Sequence, residues 1–438
     1  MKFPLPEPIH AALPIVRRLR EHHFEAVFVG GCVRDTVLGL PIKDVDIATS
    51  ARPEQVLELF DRCIPTGLQH GTITVLLDKT GYEVTTFRLE SAYEKHRRPE
   101  SIQYINSLEE DLLRRDFTIN AMALNEEGVL LDPFGGINDL SASVLRCVGD
   151  ADARFQEDAL RMLRAVRFIG TYRLSPVLGT WRALVRYKRL MNFIAMERVQ
   201  AELDKMLAGK SPQRALHTAA ASGLLLHLRE PLPAEVTDAV AAAYRNNRNN
   251  RNNDTGCLIA RLDRLNGTDC RWAAVAIALK LSEHALMQTM KALKLSNTRI
   301  KQISDIAAIA RDFEIAAALD EAERRKWWIR TVIRYGKQTT TVWLDIMRLA
   351  YDTDESKRNG QVDELVRWHE QIPLTSVKQL KVNGSDLKRY FNRKPGPWVS
   401  EVLAELLLLA AAGQIENEKQ ILLLKAAEWD KEGAEHES

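Results

Sequence analysis

Phe28-Val29-Gly30-Gly31-Cys32-Val33-Arg34-Asp35, followed by Asp44-Val45-Asp46-Ile47, is the stretch whose reading decides the fold. A β-like run ends in two glycines, and a helical pattern opens directly after them. Glycine at such a turn lets backbone N–H groups come close to a phosphate, and a helix N-terminus favours negative charge. Gly31 and Arg34 sit one turn apart and could meet the same anion. Taken alone, Gly-Gly reads first as a tight turn. Its spacing is not G-x-G-x-x-G, which disfavours a dinucleotide site.

The second half of the stretch sharpens the first. In a strand, residues two apart point to the same side, so Asp44 and Asp46 converge. Two like charges held together are costly unless something positive lies between them. Magnesium is a hard cation that prefers oxygen ligands and triphosphate, and Asp44 and Asp46 are its candidate ligands. A third carboxylate, Glu83, lies in the run Tyr82-Glu83-Val84-Thr85-Thr86-Phe87-Arg88, on the solvent face or on the metal side.

Outward from this point, the first third of the chain alternates short β-like runs with turns, at residues 26–29, 45–47, 72–77 and 82–88. Helical patterns flank them at 9–22 and 53–60. From about Phe155 the apolar residues recur at three- and four-residue steps, through 158–168, 196–207 and 213–226. The expected fold class is α+β: an α/β head with a small mixed sheet, followed by an extended all-helical remainder. A chain of 438 residues should hold more than one domain.

Lys and Arg number 61 against 59 Asp and Glu, so net charge does not advertise a nucleic-acid partner. The distribution does: residues 161–198 carry eight Arg, Lys188 and a single acid, Glu197. Such a block is a candidate phosphate surface, or simply a solvated basic face. Five scattered cysteines without C-x-x-C spacing exclude a zinc ribbon and a disulfide framework. The N-terminus lacks a signal-peptide run, and the apolar stretch 402–412 is too short to cross a membrane. A reduced, cytoplasmic protein without a membrane partner is expected. Residues 245–253, RNNRNNRNN, read as an exposed loop, and the last ten residues as a fraying end. Residues 91–110, with Tyr93, Lys95, Arg97, Arg98 and Tyr104, are polar, basic and unperiodic, and read as a mobile loop.

The order GGCVRD, DVDIAT, EVTTFR, RRDFTINAMAL (114–124), DPFGG (132–136) and EDALRMLRAVRF (157–168) resembles the class II nucleotidyltransferases. That family includes tRNA CCA-adding enzymes and bacterial poly(A) polymerases. The resemblance spans about residues 24–207; residues 382–403 and 413–418 are also similar to the C-terminal part of bacterial CCA-adding enzymes. It implies a catalytic head at 1–150, a helical neck at 151–212, a body at 213–285 and a tRNA-binding tail at 286–438. It also implies a two-metal mechanism in which Asp44 and Asp46 hold Mg2+, with Glu83 beside them. Gly31, Arg34 and Arg115 would contact the nucleotide, with Asp116 and Asn120 near the sugar. The loop at 91–110 is the family element needed for adding the terminal A.

Base choice is read from Asp158 and Arg161, three apart on a predicted helix and therefore neighbours. They offer one acceptor and one donor. Cytosine and adenine present an amino group beside a ring-nitrogen acceptor; uracil and guanine present the opposite pattern. The pair would accept CTP and ATP and reject the rest, unless it is only an i,i+3 surface salt bridge. Arg164 and Arg167 are carried over as nucleotide contacts, although on a regular helix Arg167 points opposite to Asp158. Arg198 and Glu202, one turn apart, read as a structural brace of the neck. The expected partners are the tRNA acceptor end, ATP and CTP; a homodimer is compatible with the sequence without being specified by it. The leading expectation is CCA addition. Its alternatives are A addition alone, a poly(A) polymerase (disfavoured by the absence of long basic extensions), and a non-catalytic RNA-binding protein.

Overall fold

The computed structural model describes residues 1–90, 93–94, 98–99, 102–249, 258–351 and 357–436. The chain forms two compact units, one of residues 1–237 with 292–294, the other of residues 238–291 with 295–438.

The first unit is built on a mixed sheet. Its main strands are β1 (Ala26–Val29), β2 (Asp46–Thr49), β3 (Cys63–Gly67), β4 (Thr72–Leu77) and β5 (Thr80–Thr86). The order across the sheet is Leu130–Leu131, Ala123–Leu124, β1, β2, β5, β4, β3. Only β2 and β5 run parallel; every other neighbouring pair is antiparallel. Strand β1 is interior to the sheet, and all four of its residues are buried, which is why it reads as an uninterrupted apolar run. Helix α1 (Glu7–Glu21) covers it with Ile9, Leu13, Val16 and Leu19. Helix α2 (Gly31–Val37) starts as β1 ends, and the turn between them places Gly30 at φ +73°. That value lies in the left-handed region and favours glycine.

A run of helices follows the sheet in this unit: Ala151–Glu157, Leu160–Thr171, Leu178–Tyr187, Met196–Ala208 and Pro212–Ser222. Leu160–Thr171 is the central one, packed on both Met196–Ala208 and Pro212–Ser222. Gly170 permits the second contact. A Cβ there would lie 2.6 Å from the Ala215 side chain and 3.0 Å from its backbone nitrogen.

In the second unit the described secondary structure is helical. One part of its core is aromatic: Trp328 and Trp343 are fully buried, with Phe313 packed edge-on to Trp343 at 5.2 Å. Another is aliphatic, around Leu387, Leu406 and Leu422. Among the described residues no helix is long and apolar enough to cross a membrane.

The expected α+β class holds, and three local expectations do not. Within 91–110, Arg88–Glu90 pairs with Ile102–Tyr104 and Tyr93–Glu94 with Arg98–Pro99, so the described residues form antiparallel ribbons. Helix Leu108–Leu113 follows, its Glu110 N–H capped by the Ser107 hydroxyl. Ladders of two or three residues are too short to leave an alternating pattern. Lys95 and Arg97 lie outside the described residues. Helix Ala234–Asn249 runs through the first five residues of the Asn/Arg stretch. Its alanine-rich start nucleates a helix that poorer formers then extend; residues 250–253 lie outside the description. Similarly, helix Lys419–His436 carries on through most of the polar C-terminal ten.

Candidate active site

A cavity of about 830 Å3 opens in the first unit, with carboxylates of the head on one wall and arginines of the helices on the other. The residues read as metal or nucleotide contacts all line it except Glu83.

Strand register builds the head wall. Val29 stands opposite Asp46 on β1, and Asp46 opposite Glu83 on β5. Asp46 opens β2, and Asp44 lies just before the strand instead of within it, with buried Val45 between them. Burial, then the charge of Glu83, then that of Asp44 raise the Asp46 carboxyl above its ordinary range; only Arg115 works against them. Asp46 is thus half-buried beside two like charges with one opposing arginine, an arrangement in which an added cation would favour its ionised form. Among the described residues no three His, Cys, Asp or Glu side chains converge tightly enough to enclose a metal. Asp44 and Asp46 suit a hard cation that takes one or two carboxylates and completes its shell with ligand oxygens.

The turn after β1 keeps this wall open. A Cβ on Gly30 would stand 3.1 Å from Arg115 Nη1 and 3.4 Å from Asp46 Oδ2. Arg115 donates to Asp111 Oδ2 at 3.3 Å, and its buried Nε has no partner. Burial alone would raise the Asp111 carboxyl, but Arg114 and Arg115 hold it below its ordinary range. Buried Asp111 is thus the anchor of both arginines.

A second network holds the middle of the cavity. Arg34 donates to both oxygens of Asp35 at 3.0 Å and to Asn120 Oδ1 at 2.6 Å, and its guanidinium lies 4.4 Å from the Tyr172 ring centroid. Asn120 donates to Asp116 Oδ1 at 3.0 Å, and Arg164 donates to Asp116 Oδ2 at 2.7 Å. Burial works against ionisation of Asp116, yet Arg164 and Asn120 bring its carboxyl down to about 2. The sequence reading placed Asp116 and Asn120 near a sugar. The structure uses their side chains to tie Arg34 to Arg164.

The helical wall departs most from expectation. Asp158 stands between helices Ala151–Glu157 and Leu160–Thr171, and its carbonyl accepts from the Arg161 N–H at 3.0 Å, so the two bound the first turn of the second helix. Asp158 accepts from the Leu160 N–H at 3.0 Å and from Arg198 Nη2 at 3.0 Å. Arg161 donates to Glu157 Oε2 at 2.6 Å and to the carbonyls of Arg154 and Arg114 at 3.2 and 3.0 Å. The two are therefore not the i,i+3 salt bridge that spacing allows. The same helix break corrects Arg167. It lines the cavity with Asp158, donates to Glu202 Oε2 at 2.6 Å and lies 4.2 Å from the Phe168 ring centroid. Arg198 and Glu202 do not brace one another; they reach across to Asp158 and Arg167.

With this geometry in view, comparison with known proteins is decisive. The Poly A polymerase head domain family matches residues 26–146, and tRNA nucleotidyltransferase domain 2 matches residues 264–426. The CCA-adding enzyme of Geobacillus thermodenitrificans is 39% identical over 415 residues, 94% of this chain and 95% of that protein. The chain belongs to the CCA-adding enzymes. That of Ligilactobacillus salivarius is 36% identical over 96% of this chain and 97% of its own. Among solved structures, the CCA-adding enzyme of Bacillus stearothermophilus in complex with CTP superposes with a TM-score of 0.81 at 32% identity. The match covers 98% of this chain and 100% of that one.

In this member of the CCA-adding enzymes, sequence reading passed over Arg114 and Lys205 and gave Arg198 only a bracing role, yet all three line the cavity. Arg114 carried a signal, standing beside Arg115 at the end of an acidic helix turn. Arg198 and Lys205 carried none beyond helical spacing, because their partners come from another helix or from the same face.

Proposed function

We propose that this chain builds and repairs the 3′-terminal CCA of tRNA, using CTP and ATP with Mg2+ and releasing pyrophosphate. One observation carries the reading: a single cavity joins a carboxylate wall to a wall of pre-held arginines. Similarity to CCA-adding enzymes along nearly the whole chain supports it. So does the bound CTP of the Bacillus stearothermophilus enzyme.

Asp44 and Asp46 would hold the magnesium, the latter's raised proton affinity marking where positive charge is wanted. A cation held there would supply charge neutralisation for the triphosphate and for a primer 3′-hydroxyl approaching it. The backbone at Gly30 and Gly31 approaches the triphosphate without side-chain obstruction, and Arg34 and Arg115 supply donors from the same wall. Their carboxylate partners fix those guanidinium groups before substrate arrives, so little ordering cost is left for the bound state. On the opposite wall, Asp158 offers an acceptor and Arg161 a donor to the base edge. That complement fits cytosine and adenine, and opposes uracil and guanine. Glu83 acts through its charge on Asp46. The described cysteines are free, which suits the reducing cytoplasm.

The test supplies tRNA ending at the discriminator base, in C and in CC, with labelled CTP and ATP, alone and together. Completion of CCA on all three, then a stop, is expected. Incorporation of ATP alone, and only on the CC-ending tRNA, would make this an A-adding enzyme. Continued A addition would make it a poly(A) polymerase.

A further inference from the structure

The two base-reading residues are each held by a third party. A carboxylate and a guanidinium three residues apart are free to collapse onto each other, and a pair so joined has spent the atoms that would read a base. Here Glu157 and two main-chain carbonyls hold Arg161, while the Leu160 N–H and the Arg198 guanidinium hold Asp158. Glu157 precedes Asp158 in sequence, so its part is local. Arg198 comes from a different helix, Met196–Ala208.

We propose that Arg198 is a positioning residue for nucleotide selection: it fixes the Asp158 carboxylate as an acceptor towards the cavity and apart from Arg161. This rests on the reading of Asp158 as the base acceptor. Three observations support it. The Arg198–Asp158 pair is half-buried, with side chains 32% and 18% exposed, so solvent screens it less than a surface pair. Arg198 and Asp158 both line the cavity. One turn further along the same helix, buried Glu202 holds Arg167 in the same way, so one face of Met196–Ala208 holds both Asp158, just before helix Leu160–Thr171, and Arg167 within it.

The experiment compares wild type with R198Q, R198K, D158A and D158A/R198Q, in single-turnover incorporation of CTP and UTP on tRNA ending at the discriminator base. Loss of one charge-assisted hydrogen bond should lower the CTP-to-UTP ratio of R198Q about tenfold. R198K should recover part of it, since one ammonium replaces the planar fork. D158A should lose at least as much, and adding R198Q to it should change the ratio no further. Thermal unfolding separates a folding defect from a positioning one; should R198Q not fold, the smaller loss in R198K reads the same ratio. R198Q that slows both nucleotides equally, leaving the ratio intact, would make Arg198 a plain anion contact and overturn the proposal. So would a loss that adds to that of D158A. An unchanged ratio in D158A itself would instead remove Asp158 as the base reader.

Discussion

The two walls of the cavity solve opposite electrostatic problems. On the head wall, burial and the charges of Glu83 and Asp44 all disfavour ionised Asp46, with Arg115 alone in opposition. On the helical wall, Arg161, Arg164, Arg167 and Arg198 are matched to Glu157, Asp116, Glu202 and Asp158. One wall keeps charge in reserve for an incoming cation. The other spends its charge in advance on holding side chains still. The difference separates chemistry from selection, and each wall can be broken independently.

The largest effect should follow from D44A or D46A, which remove the cation ligands. Incorporation should fall by several orders of magnitude while tRNA binding persists, measured by single-turnover kinetics beside filter binding. Next is D116A, which leaves half-buried Arg164 without its carboxylate. Breaking a fully buried pair from one side costs about 3–5 kcal/mol; with the Arg164 side chain 32% exposed a smaller loss is expected, measurable by urea unfolding. Asp116 also predicts a pH signature. Its carboxyl falls from 3.8 to about 2 on folding, so its stabilisation is complete above the higher value and drains away as pH drops through the lower. D116N should lack that acidic step.

A smaller effect concerns Glu83. Its charge helps to raise the proton affinity of Asp46, so E83Q should make Asp46 more acidic. At limiting magnesium the acidic limb of the pH–rate profile should move to lower pH; an unmoved limb would take Glu83 off the head wall. The smallest is K205A. Lys205 is 59% exposed and meets Glu202 at only 3.4 Å, while Arg167 holds the same carboxylate at 2.6 Å. Stability should change by less than about 1 kcal/mol.

Where partners lie along one strand or one turn, the sequence was sufficient. The glycine turn and the place of Arg34 follow from spacing, since a helix N-terminus is a local property; Asp44 and Asp46 both line the cavity, but with Asp44 just before β2, strand period is not what brings them together. Glu83 needed one more fact, the parallel register of β2 and β5, which no run of residues encodes. On the helical wall the one-turn spacing of Asp158 and Arg161 was legible, while the helix end just before that turn was not. The break carries neither Gly nor Pro, and its signal is Asp158 itself, two residues before an apolar helix and accepting from its first N–H. Arg198 and Glu202 were paired along their own helix because one turn separates them. Their actual partners are 40 and 35 residues away. Side chains that reach between helices leave no periodic trace.

The division between the walls is tested most directly by equilibrium binding of CTP and UTP to D46N, with incorporation followed in parallel. The account predicts that D46N incorporates neither nucleotide yet still prefers CTP by the wild-type factor, because selection resides on the helical wall. A D46N enzyme that loses that preference, or that still extends tRNA, would contradict it.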